Sequence, residues 1–301
     1  MVKHLPPAVK QLLNLRNPRS RPSPPLAKLN AIFSSTYNDA KEKRVEKGWL
    51  TLTTCTLLTA NVPSSVGYLY RFATRDDPDN AHSRRSLAEA VDKAALIRES
   101  ALKSCIFVGV PRTILSLAGL HEALETDVTK GLRKESKRTA TPENVDEITA
   151  RGRALWASIY EPHAEKLHNK LGSYHPDFIA ACARAIHSLG FARGSGAWIS
   201  SPFTTYGSVL APLPGGESEQ GNLSRALGSV VGSACLRAEG GVGPQLVSHV
   251  FGLLKARYER DLSEEDRWLS SDEGTEWVIR TVDSILDVVK PEEGPMAQAK
   301  L

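Results

Sequence analysis

Long apolar runs, paired cysteines and alternating strand patterns are what this chain has least of, and each shortage removes a class of protein. No apolar stretch approaches the roughly 18 to 20 residues needed to cross a bilayer as a helix, so no membrane span is expected. The four cysteines, Cys55, Cys105, Cys182 and Cys235, stand far apart among small or apolar neighbours. Spaced so, they read as reduced, buried small hydrophobes and not as a disulfide framework. Aromatic residues make up 6% of the chain and are not interleaved with basic clusters. The 38 Lys and Arg set against 34 Asp and Glu leave a net charge of +4, so nucleic-acid binding is not expected. Period-two alternation is nearly absent, and the expected fold class is all-α.

What the chain does have is apolar residues at helical spacing. In 97–124, Leu102, Ile106, Val110, Ile114, Leu117 and Leu120 recur at three- and four-residue steps, along one stripe of a helix. Apolar residues also fill much of the remaining circumference, which predicts a helix wedged between other helices. Pro111 lacks an N–H and its ring crowds the preceding turn, while Gly109 relieves that crowding, so a kink or a stop and restart is expected at Gly109-Val110-Pro111.

A chain of 301 residues can bury one large core or two smaller ones, and two units are expected. Residues 1–25 read as a basic, Pro-rich arm, 26–128 as a first helical unit and 129–144 as a polar linker ending in the capping signal Thr141-Pro142-Glu143. Residues 145–290 form a second, degenerate unit and 291–301 a flexible tail. Helices are expected over 26–47, 49–60, 66–74, 86–100 leading into 97–124, 145–171, 178–190, 223–238, 244–258 and 275–289, with loops at 75–85 and 194–221. The halves echo one another: Cys55 and Cys235 lie at matching places ahead of Pro63 and Pro244, as a degenerate tandem duplication would leave them. Two unrelated helix pairs are the competing explanation.

The polar start with Glu99, the apolar helix, the Val108-Gly109-Val110-Pro111 break and the Leu- and Ala-rich second helix resemble the last helices of the carboxymuconolactone decarboxylase and alkyl hydroperoxidase D-like family. The resemblance covers about residues 45–125 and, more weakly, 150–290. It implies an all-α bundle of two related alkyl hydroperoxidase D-like units that forms homo-oligomers with pockets between subunits. Peroxidases of that family use a Cys-x-x-Cys pair assisted by Glu and His. This chain has no such pair, so dithiol peroxidase chemistry is not expected. The decarboxylase branch needs neither dithiol nor cofactor, since a dienolate left by lactone decarboxylation is reprotonated by a positioned acid such as His. The segment Gln245-Leu246-Val247-Ser248-His249 resembles the family's Glu/Gln-Leu-x-x-His, which makes His249 the leading candidate proton donor.

Residues 151–178 resemble the family's segment near the active pocket and carry Tyr160, His163, His168, His175 and Asp177. Tyr160 and His163, three apart, share a helix face and are the candidate assistants, whereas His168 points elsewhere. That spacing is poor for a metal, and neither a metal site nor a cofactor is expected. Tyr68 occupies the place matching His249 in the first unit, and it needs a strongly shifted pKa to act as an acid. Arg98 and Glu99 read as the start of the long helix, where a carboxylate stabilises the dipole.

Two functions stay open. One is a non-catalytic scaffold or binder of a small-molecule ligand. The other is a cofactor-independent enzyme, of decarboxylase or isomerase type, acting on a small carboxylated or lactone-like metabolite through His249. A closed pocket beside His249 with a second polar group favours the enzyme; a ring packed among apolar side chains favours the scaffold. The ends carry competing addresses. Ala299-Lys300-Leu301 is one conservative change from the Ser-Lys-Leu peroxisomal signal, which an import receptor reads at a free C-terminus. Lys3, Lys10, Arg16, Arg19, Arg21 and Lys28, with no acid before Asp39, resemble a mitochondrial presequence, although the prolines of this arm leave little room for its helix.

Overall fold

Serines and prolines set the helix starts. The side chains of Ser86, Ser224, Ser263 and Ser271 accept the backbone N–H three residues on, and Pro63, Pro111 and Pro244 occupy first-turn positions where no N–H is needed. The computed structural model describes residues 4–14, 20–174 and 202–291. In chain order its helices are α1 (Pro7–Asn14), α2 (Leu26–Glu42), α3 (Glu46–Thr59), α4 (Pro63–Thr74), α5 (Leu87–Val108), α6 (Val110–Ala123), α7 (Thr126–Gly131), α8 (Val145–Tyr160), α9 (Ala164–Tyr174), α10 (Pro202–Thr205), α11 (Arg225–Glu239), α12 (Gly243–Lys255), α13 (Glu264–Leu269) and α14 (Asp272–Val289). The protein is all-α: among the described residues no strand forms, only an isolated bridge between Arg75 and Arg84. No described helix is long and apolar enough to cross a membrane.

The centre is α3, buried on every side from Gly48 to Thr59. Five threonines lie there, and Thr54, Thr56 and Thr59 each donate to the carbonyl four residues back at 2.7 Å, which satisfies hydroxyls that would otherwise be costly to bury. Helix α11 is buried almost as completely and crosses α3, and both helices pack against α5 and against α14. The thiols of Cys55 and Cys235 are hydrogen-bond neighbours at that crossing. Outside α3, an aromatic cluster of Phe33, Tyr37, Trp49, Tyr68 and Phe72 fixes α2 and α4, with ring centroids 4.8 to 6.3 Å apart. Helix α4 meets α6 through Gly67 and Gly119.

The larger apolar core runs from Leu29 to Val289 and draws on both halves, and a smaller cluster forms from Leu155, Ile159, Leu210 and Ala211. The larger core is thus continuous across residues 129–144. These residues fold back over α5, where Arg98 donates to the Arg133 carbonyl at 3.0 Å and Arg138 pairs with Glu99.

The expected break in 97–124 is present: Gly109 takes φ +84, a left-handed value that favours glycine, and ends α5 before Pro111 restarts the chain as α6. The expectation that this rod is wrapped all round is corrected. Ala94, Ile97, Ala101 and Ser104 face the core, while the stripe from Leu102 to Leu117 is half-buried or, at Ile114, 58% exposed. Glu99 is likewise not at a helix start, because α5 begins a dozen residues earlier. The helix expected over 145–171 stops at Tyr160, since Pro162 cannot continue it, and α9 begins at Ala164. The loop expected over 194–221 contains α10 and a π-turn, Tyr206–Leu210. The helix expected over 178–190, together with His175, Asp177, Cys182 and Ala299 to Leu301, lies outside the described residues.

Candidate functional site

A cavity of about 940 Å³ runs along the outer side of α5 and α6. Its floor is the stripe read from the sequence: Leu102, Ile106, Val110, Ile114 and Leu117 all face it. Opposite them stand Trp156 and Tyr160 of α8, Leu167 and Leu171 of α9, and Tyr206. The first two turns of α12 close one end through Pro244, Gln245 and Ser248, and residues 133–138 close the other. The periodicity that predicts a core helix is thus correct about the apolar face, but that face bounds a space instead of another helix.

His249 stands beside this space without lining it. The ring is 5% exposed, edge-on to Phe107 at 5.0 Å between centroids, with Nε2 3.4 Å from the Tyr160 hydroxyl. The Tyr160 hydroxyl, 3.0 Å from that of Tyr206, lies between His249 and the cavity. Only about 10 Å³ of free space adjoins the imidazole itself, too little to admit a substrate. Gly232 on α11 makes the close packing feasible, since a methyl there would sit 2.6 Å from His249 Nδ1. Burial, reinforced by the nearby Arg225 guanidinium, pulls His249 down to about 4. Arg225 is itself held by Ser158, Ser229 and the Gly252 carbonyl, and burial lowers it to about 10.

The structure brings Tyr160 and His249 together and leaves His163 apart. His163 is exposed at the α8–α9 corner and does not line the cavity. His168 stacks on Phe203 at 5.7 Å, and Tyr68 sits within the aromatic cluster. No group of metal-binding side chains forms among the described residues. Sequence reading misses Tyr206, for which no local pattern gives a signal. It also misses Lys103, whose signal is available: a lone lysine amid the apolar run after Leu102. Fully buried, Lys103 donates to the carbonyls of Val209, Leu210 and Ala211 at 3.1, 2.7 and 2.8 Å, and its Nζ lies 3.6 Å from Glu99. These bonds terminate the π-turn that carries Tyr206 and so position one wall of the cavity.

His249 and Glu265 give opposite pH dependences of stability. Between pH 4 and 6.5 an unfolded His249 holds a proton that the folded ring does not, so stability falls as pH drops through that window. Burial raises Glu265, which accepts the Gly48 N–H at 2.8 Å, to about 7 from its ordinary 4.5. The folded carboxyl then holds a proton that the unfolded one has lost, and stability falls as pH rises from 4.5 to 7. Each slope is at most about 1.4 kcal/mol per pH unit. In urea titrations across this range, His249→Phe should flatten the acid limb and Glu265→Gln the neutral one. Profiles parallel to the parent protein's would disprove both assignments.

No family model, no curated protein and no solved structure matches this chain.

Proposed function

We propose that the chain is a divergent carboxymuconolactone decarboxylase-like helical protein, without dithiol peroxidase chemistry, that binds a small molecule in the cavity beside α5 and performs no reaction on it. The observation that carries this reading is the cavity itself. Its volume falls within the roughly 300 to 1,000 Å³ of ligand pockets, and its walls are apolar along α5 and α6, with polar groups gathered at the Tyr160–Tyr206 pair and charged ones at Arg98 and residues 133–138. An apolar space left empty deprives its walls of packing partners, and an apolar occupant supplies them.

The enzyme alternative, with His249 as general acid or base and His163 assisting, has less support. Burial disfavours the imidazolium that a general acid starts from and a general base becomes, and His163 lies away from the site. Among the described residues no thiol pair is offered to a ligand either: Cys105 is the one cysteine lining the cavity, while Cys55 and Cys235 are buried at the α3–α11 crossing. That crossing is also the best support for a duplicated ancestry, because matching cysteines meet there between helices with equivalent neighbours. Peroxisomal import through Ala299-Lys300-Leu301 belongs to the same proposal, with mitochondrial import as its alternative and an N-terminal fluorescent fusion lacking those three residues as its test.

Leu102→Trp tests the binding reading, because the indole would fill the middle of the apolar stripe. An environment-sensitive apolar dye should bind the parent protein saturably and the variant at least about tenfold more weakly, with both still folded. Equal saturable binding by both proteins would place the ligand elsewhere.

A further inference from the structure

The two ends of the cavity differ in charge. Arg98, one helical turn before Leu102, meets Arg133, Lys134, Lys137 and Arg138 at one end, where Glu135 is the one carboxylate among the described wall residues. Two further acids stand close by. Glu219 lies 3.1 Å from Arg133 and 3.6 Å from Lys137, and Glu99 is engaged by Arg138 and Lys103. Among the described residues neither Arg98 nor Lys134 has a carboxylate within ion-pair distance. Arg98 gives one N–H to the Arg133 carbonyl, and the Nε of Arg138 is buried without a partner. Burial and the neighbouring Arg133 and Arg138 charges pull Arg98 below its ordinary pKa, so the guanidinium is held where a positive charge is disfavoured.

Among the described residues the rest of the wall carries no charged side chain. From Arg98 the floor runs through Leu102 and Ile106 to Gly109, about 16 Å along the helix axis. A guanidinium is a planar fork that matches a carboxylate, and a carboxylate at Arg98 would offset part of the excess positive charge at this end.

We propose that the cavity holds an amphipathic carboxylate of the fatty-acid type, with its head at Arg98 and Arg138 and its hydrocarbon chain lying along α5 toward Gly109. This rests on the reading of the cavity as a ligand site and adds the chemical class of its occupant. Lys134, exposed at the same end, attracts the anion without contributing to the fold.

The full chain is titrated calorimetrically with dodecanoate, dodecanol, dodecyl phosphate and dodecyltrimethylammonium, each below the concentration at which it aggregates. Dodecanoate should bind saturably and about tenfold or more tightly than dodecanol. Arg98→Gln should abolish most of that preference, weakening dodecanoate far more than dodecanol. Lys134→Glu, at an exposed position, should weaken dodecanoate severalfold even if Arg98→Gln fails to fold. Equal binding of acid and alcohol would leave the cavity a ligand site and overturn the carboxylate. Tighter binding of the phosphate or of the cation would overturn it as well. If none of the four bound saturably, the ligand-site reading would fall too.

Discussion

Lys103→Met is expected to lower folding stability by about 3 to 5 kcal/mol, the cost of removing one member of a buried charged set and leaving the others in place. The methionine would fill the same space with apolar atoms, so volume is not the issue. Three carbonyls, those of Val209, Leu210 and Ala211, would lose their shared donor in a site that no water reaches, and Glu99 would keep only Arg138. Burial draws the Lys103 amine down to about 7 against the pull of Glu99, while three carbonyl acceptors call for the three N–H bonds that only the ammonium form carries. A urea titration reads the loss as a lower midpoint at unchanged slope. A loss below about 1 kcal/mol in the single variant would mean that the carbonyls find other donors, and the account of the π-turn would have to be given up.

The second large effect is at the α4–α6 crossing. A Cβ on Gly119 would lie 2.2 Å from the Pro63 carbonyl oxygen, and one on Gly67 would lie 2.5 Å from the Gly119 oxygen. Both obstacles are backbone, which cannot rotate away as a side chain end can, so the two helices must separate. Gly119→Ala should therefore cost about 3 kcal/mol, at the upper end for overpacking, and lower the melting temperature accordingly. Because α6 supplies Ile114 and Leu117 to the cavity, the same substitution should weaken dye binding. Gly228→Ala provides the contrast. Its nearest foreign atom would be 3.7 Å away, an ordinary contact, and within a helix the change from glycine to alanine should be neutral or gain about 0.5 to 1 kcal/mol. Equal effects at the two positions would show that crossing distance is not what glycine provides in α6.

The fold is largely legible in the sequence because helical periodicity and punctuation are local signals. Gly109 with Pro111, Pro63 and Pro244 all mark helix starts or stops where the structure has them, and the absence of alternation correctly excludes strands among the described residues. The errors come from what periodicity leaves unspecified. An apolar stripe states that a surface avoids water, not whether a helix or a ligand covers it, so the Leu102 to Leu117 face reads as one awaiting a packing partner. The site is only partly legible. Tyr160 and His249 both stand out in the sequence and do meet, but they lie 89 residues apart, and nothing in their spacing shows that a tyrosine hydroxyl stands between the imidazole and the cavity. The linker 129–144 reads as a boundary because its charges are dense, and nothing in that density shows that Arg133 and Arg138 line one end of the cavity.

The burial of α3 on all sides has a consequence for synthesis. Residues 46–59 leave the ribosome early, yet the helices that cover one flank, α11 and α14, are encoded some 170 to 240 residues later. Until residue 289 has emerged, a threonine- and leucine-rich helix stays partly unsheltered, open to contacts with other nascent chains. Closing this bundle is thus a late, long-range event, and the burden of keeping the early segment out of aggregates falls on chaperones for most of the time that translation takes.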